Sequence, residues 1–271
     1  AGFEQFPEDL PGFLKLCQAL KAKGTPPGFA LGHATGDANG WTSWLLWAFD
    51  GRLTNEKSEL DLNSNETIAA LEYAKELYQT FVPGTLSWLD PSNNKAFLAG
   101  ETSLTMNAIS IYYTAKTSPD SNLKAMVPDI QHAAFPIGPI GKQVHGALML
   151  PGAIYKYCKY PNAAKEYLRF IMEREQYEPW QAASLGYVSH PLKAYDSNKF
   201  WNDDPKYAPF KGVVARLQPH SYAGNLGYAS AACLSDWIVV DMFASACLGQ
   251  KTPKEAAERA HESASEADQA G

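Results

Sequence analysis

A chain of 271 residues with 45% hydrophobic and 19% charged residues has enough apolar mass for a substantial core and shows no disorder signature. A formal charge of −6 with no Lys/Arg cluster argues against nucleic acid as a partner, since phosphate binding needs concentrated cations. No apolar run approaches the ~20 residues of a membrane span, so a membrane-spanning chain is not expected, and no signal peptide is recognised at the N-terminus.

In chain order, Pro7, Glu8 and Asp9 open a helix that runs to Lys23. Acidic residues suit its first turn, Lys21 and Lys23 suit its last, and Gly24 ends it. Leu10, Phe13, Leu14, Cys17 and Leu20 recur at three- and four-residue steps and give it one buried face. Thr25-Pro26-Pro27 then turns into a short strand at residues 28–31. The stretch HATGDANG, residues 33–40, reads as a Gly-rich loop and lacks the G-x-x-x-x-G-K-[ST] pattern that cradles phosphate. A Trp-rich apolar helix follows from Trp41 to Phe49, with Trp44, Leu45 and Trp47 expected inside. Asp37, Asn39 and Trp41 thus meet at a strand–loop–helix junction. There Trp41 is either a staple at the helix start or a ring with one free face.

Ser64 is the expected N-cap of a core helix over residues 65–81, and a further helix is expected from Asp90 until Gly100 stops it. Residues 103–107 read as a strand that hands over to a helix beginning at 108–113. Such junctions are where α/β folds collect ligands, and Asn107, Ser110 and Tyr112 are the polar groups on offer. Residues 117–131 read as loop. Residues 133–137 and 144–150 read as two strands, the second interrupted by His145-Gly146, where a glycine marks a bulge or a close approach. His145 is either a satisfied histidine at the core edge or a ligand contact.

Residues 161–173 and 173–185 predict two helices, the first strongly amphipathic, followed by an extended crossing at 186–191. A helix is expected over 204–217, then a Tyr- and Gly-rich loop with Tyr222, Asn225 and Tyr228. Helices over 231–248 and 253–269 close the chain. Asp236, near the start of the apolar 231–248 helix, either complements that helix's N-terminus or faces a ligand. Cys17, Cys158, Cys233 and Cys247 show no C-x-x-C spacing and are expected as free thiols. G-x-S-x-G and H-x-x-x-H patterns are absent, and Asp236 and Asp241 do not share a face of one helix. An enzyme is not expected; no cofactor or metal site is predicted.

Four stretches, in order, resemble the extracellular solute-binding proteins of sugar ABC importers, the group that contains maltose-binding protein. They are LKAKGTPPGFALG…GWTSWLLWAFDGRL, LNSNETIAALEYAKELY with AFLAGETSLTMN, VHGALMLPGAIYKYCKYPNAAKEYLRFIM, and ACLGQKTPKEAAERA. The resemblance implies an α/β fold, a periplasmic-binding-protein-like lobe of the class II type. It would have a small central sheet flanked by helices and be mostly helical by residue count. It assigns residues 1–154 and 193–271 to a C-terminal-lobe-like domain, and residues 155–192 to crossing helices of an N-terminal lobe that nothing in this chain matches. By the same resemblance Trp41 stacks on sugar, while Asn39 and Asp236 contact it. The full set of expected ligand contacts is Asp37, Asn39, Trp41, Asn107, Ser110, Tyr112, His145, Tyr228 and Asp236. The implied function is binding of a sugar or small oligosaccharide, in the periplasm or outside the cell, for ABC permease subunits, by a monomer. A glycan-processing hydrolase and an interaction fragment without a small ligand are the alternatives.

Overall fold

The computed structural model describes residues 1–146, 152–189, 192–225 and 227–269. Its α-helices are, in chain order, α1 (Leu10–Ala22), α2 (Asp37–Ala48), α3 (Asn65–Tyr78), α4 (Asp90–Leu98), α5 (Ser110–Thr117), α6 (Ser121–Met126), α7 (Pro161–Met172), α8 (Arg174–Ala183), α9 (Tyr228–Ser235), α10 (Ile238–Cys247) and α11 (Pro253–Gln269). Two short strands, β1 (His145–Gly146) and β2 (Leu217–Gln218), pair in parallel with His145 opposite Leu217. The chain divides into two compact units. Ala1–Asn107, Ala133–Ala147 and Arg216–Gly271 make the first; Ala108–His132 and Leu148–Ala215 make the second. The second takes in more than the 155–192 segment, because residues 108–132 and 193–215 belong to it as well.

In the first unit the helix ends follow from their caps. The Asp9 carboxylate accepts the Gly12 amide at 2.7 Å, with Pro11 in the first turn where no N–H is needed. Ser64 Oγ accepts the Thr67 amide at 3.2 Å and starts α3. The core is built on α2, whose Trp41, Trp44, Leu45, Leu46, Trp47 and Ala48 are all buried. Phe135 stacks on Trp44 at 4.2 Å, and Phe13 meets the same indole edge-on at 6.3 Å. α3, α10 and α11 enclose the rest of the core through Leu71, Ala74, Leu77, Val240, Phe243, Ala257 and Ala264. Burial pushes the thiols of Cys17 and Cys247 up to about 12 and that of Cys233 up to about 11, and all four cysteines are free.

The sheet is smaller than the four expected strands. Residues 28–31 and 103–107 reduce to one parallel bridge, Pro27 with Leu104, closed by the Gly28 amide on Leu104 O at 2.9 Å. Residues 133–137 keep a single bridge, Ile137 with Asp9. Of the expected 144–150 strand, His145–Gly146 is β1 and residues 147–150 lie outside the described residues. Gly146 is the close approach expected of it: a Cβ there would meet Gly40 Cα at 3.8 Å, so β1 lies directly on α2.

The second unit packs α5 against α6 and α7 against α8. Its expected 204–217 helix is instead two 3-10 turns, Pro205–Phe210 and Val213–Arg216. Pro209 has no amide to continue an α-helix, and Gly212, at φ 65°, turns the chain left-handed. The 117–131 stretch, expected as loop, contains α6, N-capped by Asp120.

Candidate functional site

The helix expected from Trp41 begins at Asp37, and this moves the site. The GDANG stretch is the first turn of α2, not a loop, so Trp41 sits in the second turn and points inward with Trp44 and Leu45. Trp41 is 0% exposed. Its indole N–H donates to Ala30 O at 2.6 Å, and its ring meets Phe29, Phe81 and Phe243 edge-on. No ring face is free for a ligand, and the platform expected of Trp41 is corrected to core.

The N-terminal end of α2 is nonetheless where polar groups of the first unit gather. The amides of Gly36 and Asp37 both donate to Asp90 Oδ1 at 2.9 Å, so the carboxylate at the start of α4 satisfies free N–H groups of α2. Asp37 itself is raised to about 7, chiefly by burial and further by the neighbouring Asp90 charge, against a hydrogen bond with Asn93. Fully buried Asn93 donates to Met106 O at 2.8 Å, and Asn107 hydrogen-bonds Asn94, which ties α4 to the end of the 103–107 stretch. Gly40 lets that stretch close in, since a Cβ there would lie 2.6 Å from Met106 Cε. Asn39, 3% exposed, donates to Thr35 O at 3.1 Å and Leu234 O at 3.5 Å. It is a buried strut between α2 and α9, and not an open contact.

The aromatic surface comes from elsewhere. The predicted 231–248 helix is broken after Ser235, and Trp237 holds a left-handed conformation (φ 52°) between α9 and α10. Its half-buried indole stacks on His33, with centroids 4.5 Å apart and planes 6° from parallel. His33 Nε2 lies 2.9 Å from Asp241 Oδ1, and both side chains are more than half exposed. The Trp237 ring nitrogen has no protein partner among the described residues. A bulky residue held left-handed is strained, and such strain concentrates at functional positions. Asp236, exposed beside it, is the C-cap of α9 and not the start of a helix; its carboxylate accepts Ser235 Oγ at 3.3 Å.

Asp37, Asn39, Asn107 and Asp236 therefore belong to this end of the first unit. His145 lies along α2 beside Phe135; burial, with Arg216 adding to it, depresses its imidazole to about 4, so it is neutral. Tyr228, 87% exposed, opens α9. Ser110 and Tyr112 belong to the second unit. Tyr112 is 2% exposed, donating to Asp204 Oδ2 at 2.5 Å and accepting from Lys116 Nζ at 3.2 Å, so it holds that unit together and offers no open hydroxyl. His33, Asp90, Asp241 and Trp237 are the residues sequence reasoning missed. The one sequence signal was a Trp directly after Ser235-Asp236 in an otherwise aliphatic run.

Solved structures share this fold across nearly the whole chain. The sugar transporter of Arthrobacter chlorophenolicus A6 with bound laminaribiose matches 96% of it at 18% identity and a TM-score of 0.75. Maltose-bound Thermotoga maritima MalE3 matches 97% at 18% identity and 0.73, and a Thermotoga lettingae solute-binding protein bound with α-D-tagatose matches 98% at 14% identity and 0.72. The chain spans 64% of the first of these and 66% of each of the other two, somewhat less than two thirds of their length. Among curated proteins none matches. Residues 2–209 match the family model of the bacterial extracellular solute-binding proteins, and the chain belongs to that family.

Proposed function

We propose that this chain captures a sugar or small oligosaccharide outside the cytoplasmic membrane and presents it to ABC permease subunits, as a monomer and without catalysis. The stacked Trp237–His33 pair beside the α2 N-terminal end is the observation that carries this reading. Sugar C–H faces stack on an indole, and the carboxyls of Asp37, Asp236 and Asp241 accept hydroxyl hydrogens around it. The bound sugars named for the similar structures, laminaribiose, maltose and tagatose, are uncharged, which agrees with a site whose named groups are acidic apart from one imidazole.

The segment Tyr228–Cys247 is, by length and composition alone, long and apolar enough to cross a membrane, against the sequence expectation. Its break at Trp237 and the core packing of Val240, Met242, Phe243 and Ala246 account for its apolarity, so it is read here as a core element of a chain that does not span the bilayer. The helices α7 and α8 are read as the crossing pair of a further lobe. α7 buries none of its residues and leaves Tyr167 and Phe170 63% and 48% exposed, an apolar face that such a lobe would cover.

The test is a thermal shift of this chain with laminaribiose, maltose and tagatose, read beside mass spectrometry of the sugars. A ligand that binds only the folded state at 100 times its Kd stabilises it by about 2.7 kcal/mol. A shift without new products supports the proposal. New products point to a glycan-processing enzyme, and no shift with any sugar points to an interaction module.

A further inference from the structure

We infer that His33 is a built-in occupant of the Trp237 platform: its imidazole lies where a sugar ring would stack, Asp241 holds it there, and a saccharide enters by displacing it. This rests on the proposed sugar-binding function and adds a self-blocking contact to the same site. The imidazole and indole planes are 6° from parallel with centroids 4.5 Å apart. The C–H face of a sugar needs the same flat surface at the same van der Waals distance. The indole packs against the core of the first unit, and its ring nitrogen is buried. The His33 side chain, by contrast, is 54% exposed. His33 therefore lies between the indole and solvent, and imidazole and sugar compete for one ring face.

The contact is built to open. His33 Nε2–H donates to Asp241 Oδ1 at 2.9 Å, since a carboxylate only accepts. Once the imidazole swings away, that carboxylate is free to accept sugar hydroxyls, so one group serves both states. The backbone at His33 is anchored on both sides. Leu31 and Ala34 are buried, the Leu31 amide donates to Thr85 O at 2.9 Å, and the Ala34 amide donates to Gly32 O at 2.8 Å. Displacement is therefore a side-chain rotation. An exposed stack and an exposed carboxylate pair are each weak, so a ligand can lift the ring. The observed Kd is then the intrinsic Kd divided by the uncovered fraction.

The first measurement reads the cover without any sugar. Acrylamide quenching of the full chain, taken as the difference from Trp237→Phe, isolates the emission of Trp237. His33→Ala should raise its quenching constant about twofold or more, because the ring that shields the indole is gone. Asp241→Ala, which removes the latch from the other side, should move it the same way by less, and serves if His33→Ala does not fold. The second measurement is isothermal titration with laminaribiose, maltose and tagatose. For an uncovered fraction of about 10–30%, the sugar that binds should bind His33→Ala ~3–10-fold more tightly than wild type. Weaker or equal binding by His33→Ala overturns the inference, because His33 would then be part of the platform or irrelevant to it. Unchanged quenching in both variants overturns it as well. Failure of the sugar-binding reading itself looks different: no sugar binds wild type or His33→Ala, although Trp237 becomes accessible in the variant.

Discussion

Two tryptophans separate packing from binding. Trp41 is enclosed by Phe29, Phe81 and Phe243 and bonded to Ala30 O, so Trp41→Ala leaves a large cavity and an unpaired carbonyl. Its expected cost is about 3–5 kcal/mol in urea unfolding, with loss of binding only in proportion to unfolding. Trp237 is half-buried and strained, so Trp237→Ala should cost far less stability and weaken saccharide binding ~10-fold or more by titration calorimetry. If the two exchange these effects, the platform is wrongly placed. Asp37 adds a pH signature. Its carboxyl is raised to about 7 by burial and by Asp90, so its ionisation opposes folding. The stability linked to it is complete below the unfolded value of 3.8 and is lost as pH rises through about 7. Relative to Asp37→Asn, the wild type should therefore melt progressively lower from about pH 4 to about pH 7 and level off above that.

At the scale of elements, the second unit hangs on a polar clasp. Asp204 caps the 205–210 turn through the Lys206 amide at 3.0 Å, accepts Tyr112 at 2.5 Å and lies 3.4 Å from Lys116. Burial would raise its carboxyl, but the Tyr112, Lys206 and Lys116 contacts outweigh it and hold the carboxyl below its usual range. Asp204→Ala removes all of these at once and leaves the buried Tyr112 hydroxyl short of a partner, an expected loss of about 1–3 kcal/mol. Hydrogen exchange should show it as faster opening of residues 205–210 and of α5, with α2 and α3 of the first unit unchanged. α7 presents the opposite case, a helix with nothing buried. Tyr167→Ser with Phe170→Ser should reduce dye binding and light scattering of this chain with little change in its melting temperature, because neither ring is buried.

For the whole molecule, the sequence determined what depends on local periodicity and chemistry. The Ser64 cap, the apolar stripes of α1 and α3, and the Pro161 start of α7 were legible because cap, period and breaker coincide within one helix; Asp9, read as part of a first turn opened by Pro7, instead caps a helix that starts at Leu10. The family was legible for a similar reason: four loose motifs in order survive at identities too low for any single residue to carry them. What local pattern could not decide was where an element begins or breaks when packing overrides propensity. Gly36, Asn39 and Gly40 read as loop, yet Asp90 satisfies the amides of α2 from another helix and Met106 needs the space at Gly40, so the helix starts at Asp37. With the helix starting four residues earlier, Trp41 lies in its second turn, on the face that packs into the core. Likewise the aliphatic run after Cys233 reads as one helix. Its break at Trp237 is settled by His33, some 200 residues away in sequence, whose ring stacks there and which Asp241 holds in place. The candidate site is therefore a product of tertiary structure: its aromatic face and two of its carboxyls meet only after α2, α4 and α10 have packed, and no spacing along the chain records that meeting.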